Sequence, residues 1–113
     1  MIKPDLVYLE SISGGDKDFI TSMLNLFIVN TYPELDLLKQ SAENQRWQEM
    51  GSIAHKMKAP IQMLGVPPIS DLVLEIEMMG KRGVDTVSAV PKIQELENQL
   101  QELRKGVEWY LTQ

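Results

Sequence analysis

The chain lacks cysteine, has a single histidine and contains few aromatic residues, with two Trp, three Tyr and two Phe among 113 residues. The absence of cysteine excludes disulfides, thiolate metal sites and a thiol nucleophile. No apolar run approaches the ~20 residues that a helix needs to cross a bilayer. Residues 1–5 also lack the apolar segment of a signal peptide. We therefore expect a cytoplasmic protein with no membrane segment.

Basic residues are in the minority, since 11 Lys and Arg face 16 Asp and Glu and give a formal net charge of -5. Nucleic-acid binding requires clustered Lys and Arg, so we expect no nucleic-acid partner. The length suits one hydrophobic core and is too short for two. The composition, 43% apolar and 24% charged, is ordinary for a globular chain. We predict a single domain spanning residues 1–113.

No stretch alternates apolar and polar residues as a strand does, whereas spacings of three and four recur throughout the chain. Residues 4–12 predict a short helix with Pro4 at its first position. A longer helical pattern runs from Asp16, a good N-cap, to about Asn44. Pro33 interrupts it, but the apolar phase continues through the proline. We therefore expect one kinked helix rather than two.

The clearest apolar seam lies in residues 46–64, at spacings of 3, 4, 3, 4 and 3 that are typical of helical bundles. Its members are Trp47, Met50, Ala54, Met57, Ile61 and Leu64. A shorter helix is predicted from about residue 69 to 79. We expect Gly80 and Gly83 to stop it.

The last predicted helix runs to the C-terminus, and its start is open between Asp85 and Ser88. A start after Ser88 would place Pro91 in the first turn, where proline is tolerated. Its inward positions are Ile93, Leu96, Leu100, Leu103, Val107 and Tyr110. Together the segments predict an all-α fold, an antiparallel up-and-down four-helix bundle with a short additional N-terminal helix.

The only histidine, His55, lies on the helix of residues 46–64 and faces away from its apolar seam. At 100° per residue, its face also carries Gln48, Gly51, Ser52, Lys58, Ala59 and Gln62. Gly51 and Ala59 leave space one turn before and after the ring, and Lys58 lies one turn on. We therefore expect an exposed imidazole without a hydrogen-bond partner.

An exposed neutral imidazole has a free nitrogen lone pair and can accept a phosphoryl group. The Lys58 ammonium would offset the negative charge. A metal site is not expected, because there is one His, no Cys, and no Asp or Glu three or four residues from His55. A catalytic triad is poorly supported, since Ser52 and Gln62 do not orient an imidazole as a carboxylate does.

Two other functions remain open at this point. A lone surface histidine is more often incidental, and the chain would then be a non-catalytic helical module that binds a protein partner. An enzyme in its own right ranks lowest, because no second catalytic group accompanies His55.

The identities of the residues around His55 give a further indication. The stretch is Ala54-His55-Lys56-Met57-Lys58, and Gly65 follows ten residues after the histidine. It resembles the Ala-His-x-Leu-Lys-Gly motif of histidine-containing phosphotransfer (HPt) domains, and Ile76-Glu77 is similar to the Leu-Glu pair on that family's next helix. The resemblance extends over nearly the whole chain. Ala59 replaces the usual glycine, and Pro60 stands where many members have serine.

The resemblance implies a bacterial phosphorelay intermediate, either free-standing or part of a hybrid sensor histidine kinase, with no kinase or ATP site. His55 would accept a phosphoryl group through Nε2 from a receiver-domain aspartate and pass it to another, with Lys58 stabilising the charge. The receiver would bring the acidic pocket and the magnesium ion, so no cofactor is expected here, and we expect a monomer. The predicted receiver-docking residues are Ile12, Gly51, Ser52, Lys56, Ala59 and Gln62.

Overall fold

Five α-helices make up the fold of the computed structural model, which describes residues 1–83 and 85–113. They are α1 (Val7–Ser13), α2 (Lys17–Glu43), α3 (Trp47–Gln62), α4 (Pro67–Arg82) and α5 (Ala89–Leu111), with a short 3-10 helix (Thr86–Ser88) before α5. The described residues contain no strand. The predicted all-α class is confirmed.

The four long helices form a ring around one core. Helix α3 packs on α2 and α4, and α5 closes the ring against α2 and α4, while α1 lies on α2. The bundle measures 41 × 23 × 20 Å, and its long axis matches the roughly 40 Å expected for a helix of the length of α2. Within the described ranges, no helix is long and apolar enough to cross a membrane. The predicted bundle with a short N-terminal helix is confirmed.

Helix α2 is one continuous helix through Pro33, as its apolar phase predicts. The Asp16 carboxylate caps its first turn, accepting hydrogen bonds from the backbone nitrogens of Asp18 at 2.9 Å and Phe19 at 3.2 Å. Of the apolar residues of α2, Leu24, Phe27, Leu35, Leu38 and Ala42 are buried in the core, whereas Leu26, Val29 and Leu37 are exposed.

The predicted seam of α3 is also in the core, with Met50, Ala54, Met57 and Ile61 all buried. The helix ends at Gln62, two residues earlier than expected. The prediction for α4 was wrong at its C-terminal end, because the helix continues through Gly80 to Arg82 and stops at Gly83, whose φ is 63°. A positive φ favours glycine and ends helices.

Gly80 lies within the helix, at the point where the backbones of α3 and α4 touch. A Cβ atom built on Gly80 would lie 2.5 Å from the Gly51 Cα atom and 2.5 Å from the Trp47 carbonyl oxygen. Only glycine lets the two helices approach this closely. Gly51 itself is buried in the contact, so the prediction that it belongs to an exposed docking surface was wrong.

The chain before α1 is hydrogen-bonded to the segment just after α3 and to the middle of α5, and α1 starts only after these contacts. The Asp5 backbone nitrogen donates to the Leu64 carbonyl at 2.8 Å, and the Ile2 backbone nitrogen donates to the Glu102 carbonyl at 2.9 Å. Helix α1 therefore begins at Val7 rather than at Pro4, which is buried ahead of it. The predicted position of Pro4 at the first turn was wrong.

The start of α5 agrees with the second of the two predicted starts. The helix begins at Ala89, directly after Ser88, and Pro91 lies in its first turn. Tyr110, predicted to face inward, is 37% exposed and stacks edge-on against Trp109. Tyr110 therefore lies outside the core, whereas Leu111, the next residue, packs partly against it.

The glycine contact gives a test of the fold. Gly80→Ala should destabilise the protein by about 1–2 kcal/mol, because overpacking against backbone atoms costs more than the roughly 1 kcal/mol that alanine gains in helix propensity. Urea unfolding measures the change. Gly51→Ala should cost less, since its Cβ atom would lie 3.2 Å from Gly80 backbone atoms.

Asp71→Ala, at an exposed position of α4, is the matched control and should change the free energy of unfolding by less than about 0.5 kcal/mol. Equal stability of Gly80→Ala and the wild type would contradict the close contact between α3 and α4.

Candidate functional site

His55 lies on the edge of α3 that meets α4, and 61% of its side chain is exposed. The exposure agrees with the prediction from the helical wheel. The expectation that the imidazole has no partner was wrong, because Nδ1 lies 2.6 Å from Glu77 Oε2. Glu77 comes from α4, so the partner is on a different helix from the histidine.

Glu77 is the centre of the site, and its side chain is only 1% exposed. Besides His55, it accepts hydrogen bonds from the ammonium groups of two lysines. Lys58 Nζ, on α3, lies 3.0 Å from Oε1, and Lys81 Nζ, four residues after Glu77 on α4, lies 2.8 Å from Oε2. The carboxylate thus joins three polar side chains from two helices.

These contacts keep the Glu77 carboxylate ionised. The hydrogen bond from Lys81 lowers the pKa of Glu77 most, and those from Lys58 and His55 lower it further, while burial opposes them; the resulting pKa is about 2. A buried carboxylate is otherwise strongly disfavoured. Glu77 is therefore a fixed negative charge behind the imidazole.

The fixed charge selects one tautomer of His55. An ionised carboxylate only accepts hydrogen bonds, so Nδ1 must carry the proton. In the neutral ring the lone pair then lies on Nε2. The described part of the chain offers Nε2 no hydrogen-bond partner, and the exposed side of the ring presents a nucleophilic nitrogen to solvent.

The remaining predicted residues lie on two sides of the ring. Lys58 faces α4 and Glu77, whereas Ser52, Lys56, Ala59 and Gln62 are exposed on α3. Ile12 is exposed on α1. These exposed residues stay predictions for docking, since nothing in the structure tests that role.

A depression between α1 and α3 adjoins the exposed face of α3 and is lined by Tyr8, Ala59, Gln62 and Met63. Leu9, on the same short helix, is fully buried. Tyr8, by contrast, is exposed and lines this depression, although the sequence analysis had given it no docking role.

A deeper apolar groove of about 440 Å³ lies between α1, α2 and α3. The proline of α2, Pro33, and the proline of α3, Pro60, both line it, together with Leu9, Met23, Leu26, Phe27, Asn30, Thr31, Glu34, Met57, Ile61, Met63 and Leu64. Partial burial raises the pKa of Glu34, and the nearby Lys56 ammonium opposes that rise. Pro60, whose place in the sequence had no explanation, thus forms part of the wall of this groove.

No cluster of three or more His, Cys, Asp or Glu side chains suited to a metal ion occurs in residues 1–83 and 85–113. The site has one histidine and one carboxylate, and two lysine ammonium groups occupy that carboxylate. This donor set suits an anion beside the ring better than a cation.

Sequence reasoning missed the roles of Glu77 and Lys81. Spacing within one helix can relate His55 only to residues of α3, whereas Glu77 is 22 residues away, on α4. A signal was present, because Ile76-Glu77 matched a family pair and Lys81 follows Glu77 at the i, i+4 spacing of helical ion pairs. Neither feature had been assigned a function.

A family model described as Hpt domain matches residues 22–106 of the chain. The matched region begins within α2 and ends within α5, and it includes His55, Lys58, Glu77 and Lys81. No curated protein and no solved structure matched the chain.

The buried carboxylate predicts a pH dependence of stability. Because the pKa of Glu77 is lowered from 4.5 to about 2 on folding, its contribution is fully present above about pH 4.5 and is lost as the pH falls toward 2. Glu77→Gln lacks this contribution. The difference in Tm between the wild type and Glu77→Gln should therefore be largest at neutral pH and shrink below pH 4.5.

Thermal unfolding followed by circular dichroism between pH 7 and 2 measures this difference. Glu49→Gln, at an exposed position of α3, controls for the loss of one negative charge. A Tm difference that stays constant down to pH 2 would show that the partners of Glu77 do not hold it ionised.

Proposed function

Since this chain belongs to the Hpt domain family, which performs histidine phosphotransfer in two-component signalling, we propose that His55 is its phosphoryl acceptor. In this proposal the chain takes a phosphoryl group from a receiver-domain aspartate and passes it to the aspartate of another receiver. The observation that carries the proposal is the 2.6 Å contact of His55 Nδ1 with Glu77. It leaves Nε2 exposed with a free lone pair.

The transfer step needs no proton to move. The Nε2 lone pair attacks phosphorus, and the aspartate carboxylate leaves with the electrons of the bond that breaks. The proton stays on Nδ1, so the phosphorylated ring becomes cationic and faces the Glu77 carboxylate. The reverse step returns the electron pair to Nε2 and restores the neutral ring. One arrangement therefore serves both the donor and the acceptor receiver.

Lys58 is the proposed stabiliser of the phosphoryl charge. It lies on the same face of α3 as His55, one turn further on, and its ammonium group is anchored at 3.0 Å from Glu77 Oε1. An ammonium group held beside the ring offsets the negative charge of phosphoryl oxygens.

Hpt domains carry phosphoryl groups and have no kinase activity of their own. We propose that the chemistry on the aspartate, including the magnesium ion and its acidic pocket, belongs to the receiver. The receivers are separate proteins or domains of a hybrid kinase that contains this chain. In either arrangement, the chain acts as a monomeric carrier without a cofactor.

The proposed docking surface surrounds His55 on the side away from α4. It consists of Ser52, Lys56, Ala59 and Gln62 on α3 with Ile12 and Tyr8 on α1, all of which are exposed. The adjoining apolar groove between α1, α2 and α3 continues this surface. An apolar centre with a polar rim is the usual character of a protein interface.

The central test is phosphate labelling. A phosphorylated receiver domain should label the wild type with an acid-labile, alkali-stable phosphate, and His55→Ala should abolish the label, because the chain has no other histidine. Asn98→Ala, at an exposed position of α5, should be labelled like the wild type. Labelling that survives His55→Ala would refute the proposal.

A second test separates docking from chemistry. Ala59→Arg places a large charged side chain on the proposed docking surface, and we expect transfer from a phosphorylated receiver to slow by about tenfold or more. Labelling by the small donor phosphoramidate should be unchanged, since it needs no docking. Gln101→Arg, at an exposed position of α5, is the matched control.

Equal receiver-dependent rates for Ala59→Arg and Gln101→Arg would exclude this face of α3 as the docking surface, while leaving His55 as the acceptor.

A further inference from the structure

Lys81 is closer to the imidazole than its distance along the chain suggests. Lys81 Nζ, at 2.8 Å, and His55 Nδ1, at 2.6 Å, contact the same atom, Glu77 Oε2. The two nitrogens are therefore at most two hydrogen-bond lengths apart. Lys58, by contrast, contacts the other oxygen, Oε1.

The two lysines also differ in freedom. The Lys81 side chain is 56% exposed, whereas that of Lys58 is 26% exposed. A lysine ammonium sits on a flexible four-carbon stem and costs little to redirect when the stem is solvated. Lys81 is thus the lysine that can leave Glu77 most easily.

The charges of the site favour a movement of Lys81 toward a phosphoryl group. Before phosphorylation, the Glu77 carboxylate and the two lysine ammonium groups sum to one positive charge, with a neutral imidazole. A dianionic phosphoryl group on a cationic ring adds one net negative charge. The four groups together then become neutral, and either lysine alone would leave the phosphorylated site negative.

We propose that Lys81 is a second phosphoryl-binding residue, which leaves Glu77 Oε2 and pairs with phosphoryl oxygens once His55 is phosphorylated. This inference rests on the proposed function of His55. No covalent bond changes in this step, since only an ion pair is exchanged.

Glu77 can release Lys81 without becoming an unpaired buried charge. The phosphorylated ring is cationic, and its Nδ1 proton makes a charge-assisted hydrogen bond to Oε2, which is stronger than the bond from the neutral ring. Lys58 remains on Oε1 at 3.0 Å. The carboxylate therefore keeps two strong donors while Lys81 turns toward the phosphoryl group.

Other basic residues of this region are poorer candidates. Lys92 belongs to α5, and its Nζ atom lies 2.7 Å from Oε2 of Glu75 on α4. Arg82 is exposed and lies at the last position of α4, next to Lys81 but turned by 100° around the helix. Arg82 therefore provides a matched control of the same charge on the adjacent residue.

The test uses the purified chain labelled with phosphoramidate, so that no receiver is needed. In Lys81→Met, the lifetime of the phosphohistidine should shorten by about fivefold or more, the effect of losing one charged hydrogen bond. Lys81→Arg should retain most of the lifetime, and Arg82→Met should equal the wild type. Circular dichroism confirms folding, and Lys81→Gln replaces Lys81→Met if the latter is unfolded.

A second readout distinguishes contact from mere support of Glu77. Titration by ³¹P NMR measures the pKa of the phosphoryl group, which an adjacent cation lowers. We expect that pKa to rise in Lys81→Met and to return toward the wild-type value in Lys81→Arg.

Unchanged lifetime and phosphoryl pKa in Lys81→Met would overturn the inference, especially if Lys58→Met changes both. If phosphoramidate fails to label His55 in the wild type, the proposed function itself is wrong and the inference is overturned with it. The two failures are distinguishable, because only the second abolishes the label in every variant.

Discussion

The buried Glu77 carboxylate of α4 is held by His55 and Lys58 of α3 and by Lys81 of its own helix. A charge buried to this extent costs several kcal/mol unless hydrogen-bonded partners surround it, and its three partners come from two helices. Helices α3 and α4 must therefore pack correctly before the charge is satisfied. The Gly51–Gly80 contact makes that packing possible, because it lets the two backbones meet. The packing of α3 on α4 therefore also assembles the site around Glu77.

Under the proposed function, the same carboxylate would let one histidine serve as both acceptor and donor of the phosphoryl group. A carrier must react in two directions, so a proton that had to be removed in one direction would have to be supplied in the other. With Glu77 ionised, the Nδ1 proton stays in place throughout, and only the charge of the ring changes. A fixed tautomer thus removes the proton exchange that an imidazole protonated on Nε2 would need before Nε2 could attack.

Sequence patterns correctly predicted the features that depend on a single helix, such as which of its faces is buried. The apolar spacing of Met50, Ala54 and Met57 fixed the face of α3 that enters the core, and the wheel therefore gave the exposure of His55 correctly. The wheel could not show Glu77, because which residue of α4 lies opposite His55 depends on packing between helices. Gly80 was misjudged for the same reason: its low helix propensity indicated a stop, but its contact with Gly51 requires a helix there.

The two edges of α3 differ in their surroundings. The edge facing α4 holds His55, Lys58 and the buried carboxylate, and its residues are fixed by charge pairs that tolerate few changes. The opposite edge, which carries Ala59 and Pro60, adjoins α1, α2 and an apolar groove whose acidic lining residue, Glu34, is only partly buried. In the proposed function, the docking residues along the second edge could therefore vary without disturbing the first. This separation would allow the chain to keep the proposed chemistry of His55 while departing from the family pattern at Ala59 and Pro60.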